Sequence, residues 1–465
     1  VNSGNKFQID MCHGPLFSKI ILFSIPLIIT NMLQLLFQAT DIIVLGRFAD
    51  AQSMASVGAT SGLTILILNI FFGVSVGVNV LTARYTGARD RKRVSQTVHT
   101  AAAIAFYGGL AMAVIGILIS RPALVLMETP PEILARSLTY LRIYCAGIPF
   151  IICYNFGSSI LRAVGDTRRP LIFMLIAGVV KVLLNLLFVP VMHLDVAGVG
   201  LTTLISNALS ALLVVITLRT ARDASRLIWK KVRIDGPILI EMLKIGLPAG
   251  IQGSFFSLSS VVIQSSINSL GPVIIAGNTA GYSIESIVYV GSSAYYYTAI
   301  SFVGQNHGSQ KFKRIARSIG WCFACSFAAT TLMGWGAYLF SEPLLKIYTS
   351  DPAVIEKGVI RLKILLTVYC TCGFMDVISG SLRGLGHSVK PTIVTLMGVC
   401  FFRIGWVFWI FPRHPTMENL MISYPVSWTL VSIVNGTILF IVCRKMFRTA
   451  AHEPHHPNFA MLRGR

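Results

Sequence analysis

The chain has 465 residues, 54% of them hydrophobic and 12% charged, with a mean hydropathy of +0.72. No single globular core hides that much apolar surface, so a soluble domain is excluded and a polytopic membrane protein is expected. The formal net charge of +21 would point to nucleic acid in a soluble chain. Here the basic residues fall in short loops between apolar runs, the pattern of membrane topology and anionic lipid, and no nucleic-acid partner is expected.

A helix needs about 20 apolar residues to cross a bilayer. Stretches that qualify cover residues 20–46, 54–83, 99–120, 138–161, 171–192 and 197–218, then 245–270, 273–301, 315–340, 362–382, 392–411 and 420–443. The first is far longer than the core of a cleavable signal and is expected to stay as a helix. Twelve passes put both ends of the chain on one side. Lysine and arginine collect in alternate loops, at 84–93, 162–169, 219–233 and 311–317, whereas 193–195 and 271–272 carry none. The positive-inside bias therefore predicts a multi-pass protein of the cell membrane with cytoplasmic N- and C-termini. The nine cysteines sit mostly inside apolar segments, and the pair Cys322 and Cys325 lies within a span, where no zinc or redox role is expected.

One unit occurs twice. LRAVGDTRRP at 161–170 returns as LRGLGHSVKP at 382–391, so Arg162 and Arg383, Gly165 and Gly386, and Pro170 and Pro391 are each 221 residues apart. Gly87 and Gly308 keep that offset, and Pro26 and Pro248 differ from it by one residue. Self-similarity at a fixed period marks a duplicated structural unit. Each copy holds six spans, an even number, so both enter the membrane from the same side and their pseudo-two-fold axis runs along the membrane normal. The expected fold is all-α, with twelve transmembrane helices in two six-helix bundles facing a cleft. The N-lobe is assigned to 17–218, a basic cytoplasmic linker on the inner leaflet to 219–237, the C-lobe to 238–445 and a cytoplasmic tail to 446–465.

Polar residues inside the spans nominate the site. Asn31, Gln34, Gln38 and Asp41 recur three, four and three residues apart on one face of the first helix, and a polar stripe there must face protein or water. A rise of 1.5 Å per residue puts Asp41 about 8 Å, Asn185 about 11 Å and Thr202 about 8 Å from the outer surface. A carboxylate, an amide and a hydroxyl at one level suit a small cation such as Na⁺, or frame a single titrating carboxyl. Lys181, one turn deeper than Asn185, is placed either to pair with Asp41 or to be displaced by a cationic substrate. In the second copy, Glu285 at about 19 Å and Asp376 at about 21 Å share a deeper level, which Arg403 reaches from about 17 Å above the inner end of its span. These three are expected to form one cluster with an excess negative charge for a proton or a cationic ligand. Charges at such depths cost roughly 2.5–3.5 kcal/mol each on insertion scales, so they are functional candidates. The acids are not duplicated: Asp376 corresponds to Asn155, Glu285 to Thr64 and Asp41 to Ile263. Aromatic residues near the second cluster, Tyr282 among them, suit a lipophilic organic cation.

Several motifs together carry a family resemblance: ATDI at 39–42 with Gly46 and Arg47, the doubled R-x-x-G at Arg162 and Arg383, LPAG at 247–250, and VGQN at 303–306 with Gly308. The chain resembles the MATE (multidrug and toxic compound extrusion) family of efflux transporters over about residues 17–445. The resemblance implies two six-helix lobes around a central cleft and export of organic cations or similar drugs in exchange for Na⁺ or H⁺. By position, Asp41 matches the family's first-helix acid, Asn185 and Thr202 or Thr203 fall near its N-lobe cation site, and Glu285 and Asp376 match acidic C-lobe positions. Lys181 is a departure, since related chains often carry asparagine there. The expected protein is a monomeric secondary antiporter for cationic, amphipathic small molecules, with no cofactor beyond the coupling ion. The alternative is a lipid-linked oligosaccharide flippase of the same superfamily, which an anionic substrate makes less fitting because only Lys181 and Arg403 are basic lumen candidates. An enzyme is not expected, because no span carries a nucleophile with its base or a metal cluster.

Overall fold

A computed structural model describes residues 7–452, and every regular element in them is helical. The first copy comprises α1 Leu16–Phe48, α2 Ala51–Gly87, α3 Arg91–Leu126, α4 Pro131–Ala163, α5 Arg168–Phe188 and α6 Asp195–Thr220. The second comprises α7 Gly236–Asn268, α8 Pro272–Gly308, α9 Phe312–Leu339, α10, α11 Val389–Arg413 and α12 Met417–His452. Helix α10 has two parts, Pro352–Leu366 and Cys370–Gly384, bent by 47°. Ten helices among the described residues are long and apolar enough to cross a membrane, and the bent pair makes an eleventh. Helix α8, with 37 residues, is the twelfth; its composition falls short because Asn278, Glu285, Gln305 and Asn306 are turned into protein, where all four are buried.

The duplicated LRxxG motif has a local cause. Gly165 and Gly386 adopt φ +98° and +87°, the left-handed conformation that ends α4 and α10. In each copy the next amide reaches back five residues, Asp166 to the Leu161 carbonyl at 2.8 Å and His387 to the Leu382 carbonyl at 2.9 Å. These are Schellman caps, and only glycine adopts that backbone without strain. The preceding arginines meet neighbouring tyrosines of α8: Arg162 stacks over Tyr297, and Arg383 donates to the Tyr296 hydroxyl. Helix α1 runs unbroken through Pro26.

Packing couples the lobes on the side of the basic loops. A Cβ on Gly73 would lie 2.1 Å from the Gly250 nitrogen, and one on Gly77 would lie 2.3 Å from the Met242 carbonyl, so α2 and α7 touch backbone to backbone. Tyr85 closes the same seam by donating to Glu241 at 2.6 Å, and the seam continues outward to Asn69 and Ser257, 3.2 Å apart. Beyond them contact ends: Gly58 and Gly62 have no neighbour where a Cβ would be, and Leu258 and Val261 are exposed. The lobes are closed on the basic side and parted on the other.

The first helix of each repeat crosses between the two copies. The start of α1 (Leu16, Ile20, Phe23) packs against Ala294, Phe302 and Val377 of the second copy, while its end (Val44, Leu45) packs against Tyr140, Val189 and Val199 of the first. Helix α7 does the converse, with Ile238, Met242 and Ile245 in the core of the first copy. Each repeat thus lends the start of its first helix to the other. Nor is the 219–237 segment simply a surface strap on lipid. Leu227 is drawn into the first core and the Ile228 amide donates to His99 Nε2 at 3.0 Å, though Trp229 stays exposed. Residues 7–15 bridge both copies on the basic side: Ile9 donates to the Gly165 carbonyl, and Arg314 donates to the carbonyls of Met11, His13 and Gly14. The predicted tail begins as the last turns of α12; 453–465, with its histidines, lies outside the described residues.

Candidate functional site

Each lobe encloses a cavity. That of the first copy, about 360 Å³, is lined by Gln34, Gln38, Asp41, Thr64, Tyr140, Tyr144, Asn155, Lys181 and Thr203, among others. Gly178 explains how its acid and base meet: with no side chain there, the Phe37 ring of α1 lies against the backbone of α5, where a Cβ would be 1.8 Å from it. One turn further along both helices, Asp41 Oδ2 accepts from Lys181 Nζ at 2.7 Å. Asp41 Oδ1 accepts from Asn185 Nδ2 at 2.8 Å, and Asn185 Oδ1 accepts from Thr202 Oγ1 at 2.5 Å. All four are buried.

Asp41, Asn185 and Thr202 lie together, but not as three free oxygens around Na⁺. Asn185 turns its nitrogen to the acid and its oxygen to Thr202, and the cation on Asp41 is the protein's own ammonium. Thr202 does not line the cavity; Thr203 does, with its hydroxyl unpartnered among the described residues. The stripe on α1 also divides. Gln34 and Gln38 line the cavity, whereas Asn31 donates to Ser293 of α8 at 3.1 Å and ties α1 to the second copy.

The second cavity, about 190 Å³, is lined by Glu285, Asp376, Arg403 and Tyr282 with Phe256, Tyr289, Tyr369 and Trp428. The expected charge cluster is corrected here. Glu285 pairs with Arg361 at 2.5 Å, which also donates to Asn278. Asp376 accepts from Ser292 at 2.6 Å. Arg403 forms no ion pair among the described residues; its Nε donates to Ser427 and its guanidinium stacks on Tyr424 at 3.9 Å. Arg361 was missing from the expected cluster because it stands one residue before the predicted tenth span. The bend at 366–370 tilts the preceding segment into the bundle and takes Arg361 with it, to 2% exposure. Its place at the very edge of an apolar run was the available signal.

The cavities are built from equivalent positions. At an offset of 221, Thr64, Tyr140 and Asn155 of the first match Glu285, Arg361 and Asp376 of the second. At 222, Asp41 and Lys181 match Ile263 and Arg403. The repeat kept the architecture and redistributed the charge.

Comparison with known proteins agrees with this duplication. The MatE family profile matches residues 26–187 and again residues 248–409. The protein is a member of the MATE family of membrane transporters. Among relatives of this MATE protein, the probable multidrug resistance protein YpnP of Bacillus subtilis is 25% identical over 394 residues, 85% of this chain and 88% of that protein. The probable multidrug resistance protein NorM of Thermotoga maritima is 24% identical over 396 residues, 84% of each chain. The multidrug export protein MepA of Staphylococcus aureus is 23% identical over 394 residues, 83% of this chain and 85% of that protein. Two solved structures share the fold at 20% identity and a TM-score of 0.88. An outward-facing conformation of a multidrug resistance MATE family transporter of the MOP superfamily covers 96% of this chain and 100% of its own. A MOP superfamily transporter from Pyrococcus furiosus, described as having reverse polarity of its binding pocket, covers 96% and 99%.

Proposed function

We propose that the protein is a secondary antiporter that exports amphipathic organic cations across the cell membrane in exchange for H⁺ or Na⁺, by alternating access of its two lobes. The observation that carries this reading is the pairing of an asymmetric seam, closed on the basic side and parted on the other, with buried carboxylates facing a cavity in each lobe. The basic side is the cytoplasmic one by the positive-inside bias, so the conformation is outward-facing and both ends of the chain are cytoplasmic. Exposed to the outer medium, Asp41 exchanges the Lys181 ammonium for the coupling ion. From the inner side, a lipophilic cation competes for the same carboxylates, Asp41 and Asp376, and rocking of the lobes converts that competition into exchange. Relatives named for multidrug resistance and export support this substrate class. The protein acts as a monomer, since one chain supplies both lobes.

The test is export of a fluorescent organic cation from vesicles holding the purified protein under an imposed pH or Na⁺ gradient, with Asp41→Asn and Asp376→Asn alongside. Flux driven by one gradient and abolished by both substitutions supports the antiporter and names the ion. Flux for no cation, with transbilayer movement of a lipid-linked diphosphate instead, would replace it with the flippase.

A further inference from the structure

We infer that the segment joining the two repeats is a binding site for the headgroup of an anionic phospholipid of the inner leaflet, whatever molecule the protein exports. Trp229 and Ile234 enter the edge of the bilayer, and Lys230, Lys231 and Arg233 hold the lipid phosphate.

Depth is the first observation. The chain leaves α6 at Thr220 and then doubles back. The Leu227 amide donates to the Leu218 carbonyl at 2.9 Å, which returns the segment to the level where the sixth apolar run ends. On the neighbouring α3, the Ile228 amide meets His99 Nε2 at 3.0 Å, and the Asp235 amide donates to Thr100 Oγ1 at 3.2 Å. His99 and Thr100 open the third apolar run. Residues 227–235 are thus held at the inner boundary of the hydrocarbon, about 12 Å nearer the bilayer than Arg91 at the start of α3.

What the segment presents at that level is amphipathic. Leu227 is buried in the first core and fixes the turn. Trp229 and Ile234 are 56% and 50% exposed. A tryptophan at headgroup level is an interfacial anchor, its ring in the apolar layer and its N–H wet. Beside these two, Lys230, Lys231 and Arg233 are exposed and form no ion pair among the described residues. The acids of the segment are already engaged. Asp223 accepts from Gln8 at 2.8 Å, and Asp235 accepts from Gln96 at 2.8 Å and from the Ile238 amide at 3.2 Å. Three cations next to two apolar side chains match a phosphodiester whose acyl chains begin at the same level.

The repeat shows that this face belongs to one copy. At an offset of 222, residues 229–236 match 7–14, and each segment leads through Gly-Pro into the first helix of its copy. The earlier segment is clamped by the protein: Lys311 donates to the Cys12 carbonyl at 2.9 Å, and Arg314 to those of Met11, His13 and Gly14. At 221, the residues matching Lys311 and Arg314 are Asp90 and Arg93, which pair with each other at 3.7 Å. The later segment instead carries its own cations, on its exposed side.

The test uses the full-length protein in vesicles of mixed phosphatidylglycerol and phosphatidylcholine, with one lipid at a time brominated at acyl carbons 6 and 7 to quench nearby tryptophan. Subtracting the signal of Trp229→Phe isolates Trp229 and gives the relative affinity of the two lipids there. Phosphatidylglycerol is expected to win by about tenfold or more, since each cation near an anionic surface is worth about fivefold. Lys230→Gln, Lys231→Gln and Arg233→Gln together should bring the ratio near one with quenching by phosphatidylcholine unchanged, which shows that the segment stays in place. Lys230→Arg with Lys231→Arg should keep the preference. So should Arg91→Gln, Lys92→Gln and Lys313→Gln together, which remove as much exposed charge from the same side but farther from the bilayer. Trp229 quenched by neither lipid, or equally by both, overturns the proposal. An equal loss of preference in the two triple variants also overturns it, because the general charge of the basic side, and not a site, then attracts the lipid.

Discussion

Breaking the Arg361 and Glu285 pair separates structural from ligand-binding acids in the C-lobe. Two unit charges 2.5 Å apart attract by about 7 kcal/mol at an effective dielectric of about 20. Removing each from water costs several kcal/mol, so the intact pair nets little against apolar residues of the same volume. Losing one partner is different. Arg361→Met leaves Glu285, 7% exposed, without its ion-pair partner, and is expected to destabilise by about 3–5 kcal/mol. Glu285→Gln with Arg361→Met removes both charges and should recover about 2–3 kcal/mol of that loss as coupling energy. The chain supplies its own reporter, because five of its nine free cysteines, Cys145, Cys322, Cys325, Cys372 and Cys400, are buried. A thiol-reactive fluorophore therefore reads unfolding with temperature in detergent. The double variant should also keep cation export, since Asp376 remains. Arg361→Met as stable as wild type, or a double variant no better than the single one, would refute the structural role. A folded double variant that no longer exports would put Glu285 in the substrate path.

Three further outcomes are expected from the geometry. Lys181→Met removes the tethered ammonium that competes for Asp41, and affinity for a fluorescent organic cation should rise about tenfold or more, measured by titration in detergent; unchanged affinity would mean that substrate never reaches Asp41. Gly73→Leu places side-chain atoms where α2 and α7 now touch, so the basic-side seam should no longer close; gradient-driven efflux should vanish, and spin-label distances between α2 and α7 should lengthen on that side. Asp166, in the loop between α4 and α5, has burial pushing its carboxyl up from 3.8 to about 6 despite Arg169 Nε at 3.3 Å. The folded state therefore holds this proton more tightly than the unfolded one. Asp166 contributes its full stabilisation at low pH and loses it as pH rises through about 6, and unfolding midpoints of Asp166→Asn minus wild type should climb across that window and then level off.

What the sequence alone determined is whatever depends on one residue or one helix at a time. Apolar runs set the twelve passes because each residue's transfer into lipid is nearly independent of its neighbours. The doubled LRxxG was visible because a left-handed cap needs glycine at a set place. Depth along a helix is a matter of counting, and it brought Asp41, Asn185 and Thr202 to one level. Tertiary structure decided which groups at one level face each other. Counting residues does not say how a helix is rotated or tilted, and the bend in α10 gave Glu285 to Arg361 and left Arg403 alone. Close contact of Phe37 with Gly178 joined Asp41 to Lys181, and α1, crossing between lobes, turned Asn31 away from the cavity its stripe otherwise lines. Nor does any local signal hold the asymmetry of the seam, because it arises from glycines on two helices far apart in the chain whose backbones meet only when the lobes close on that side.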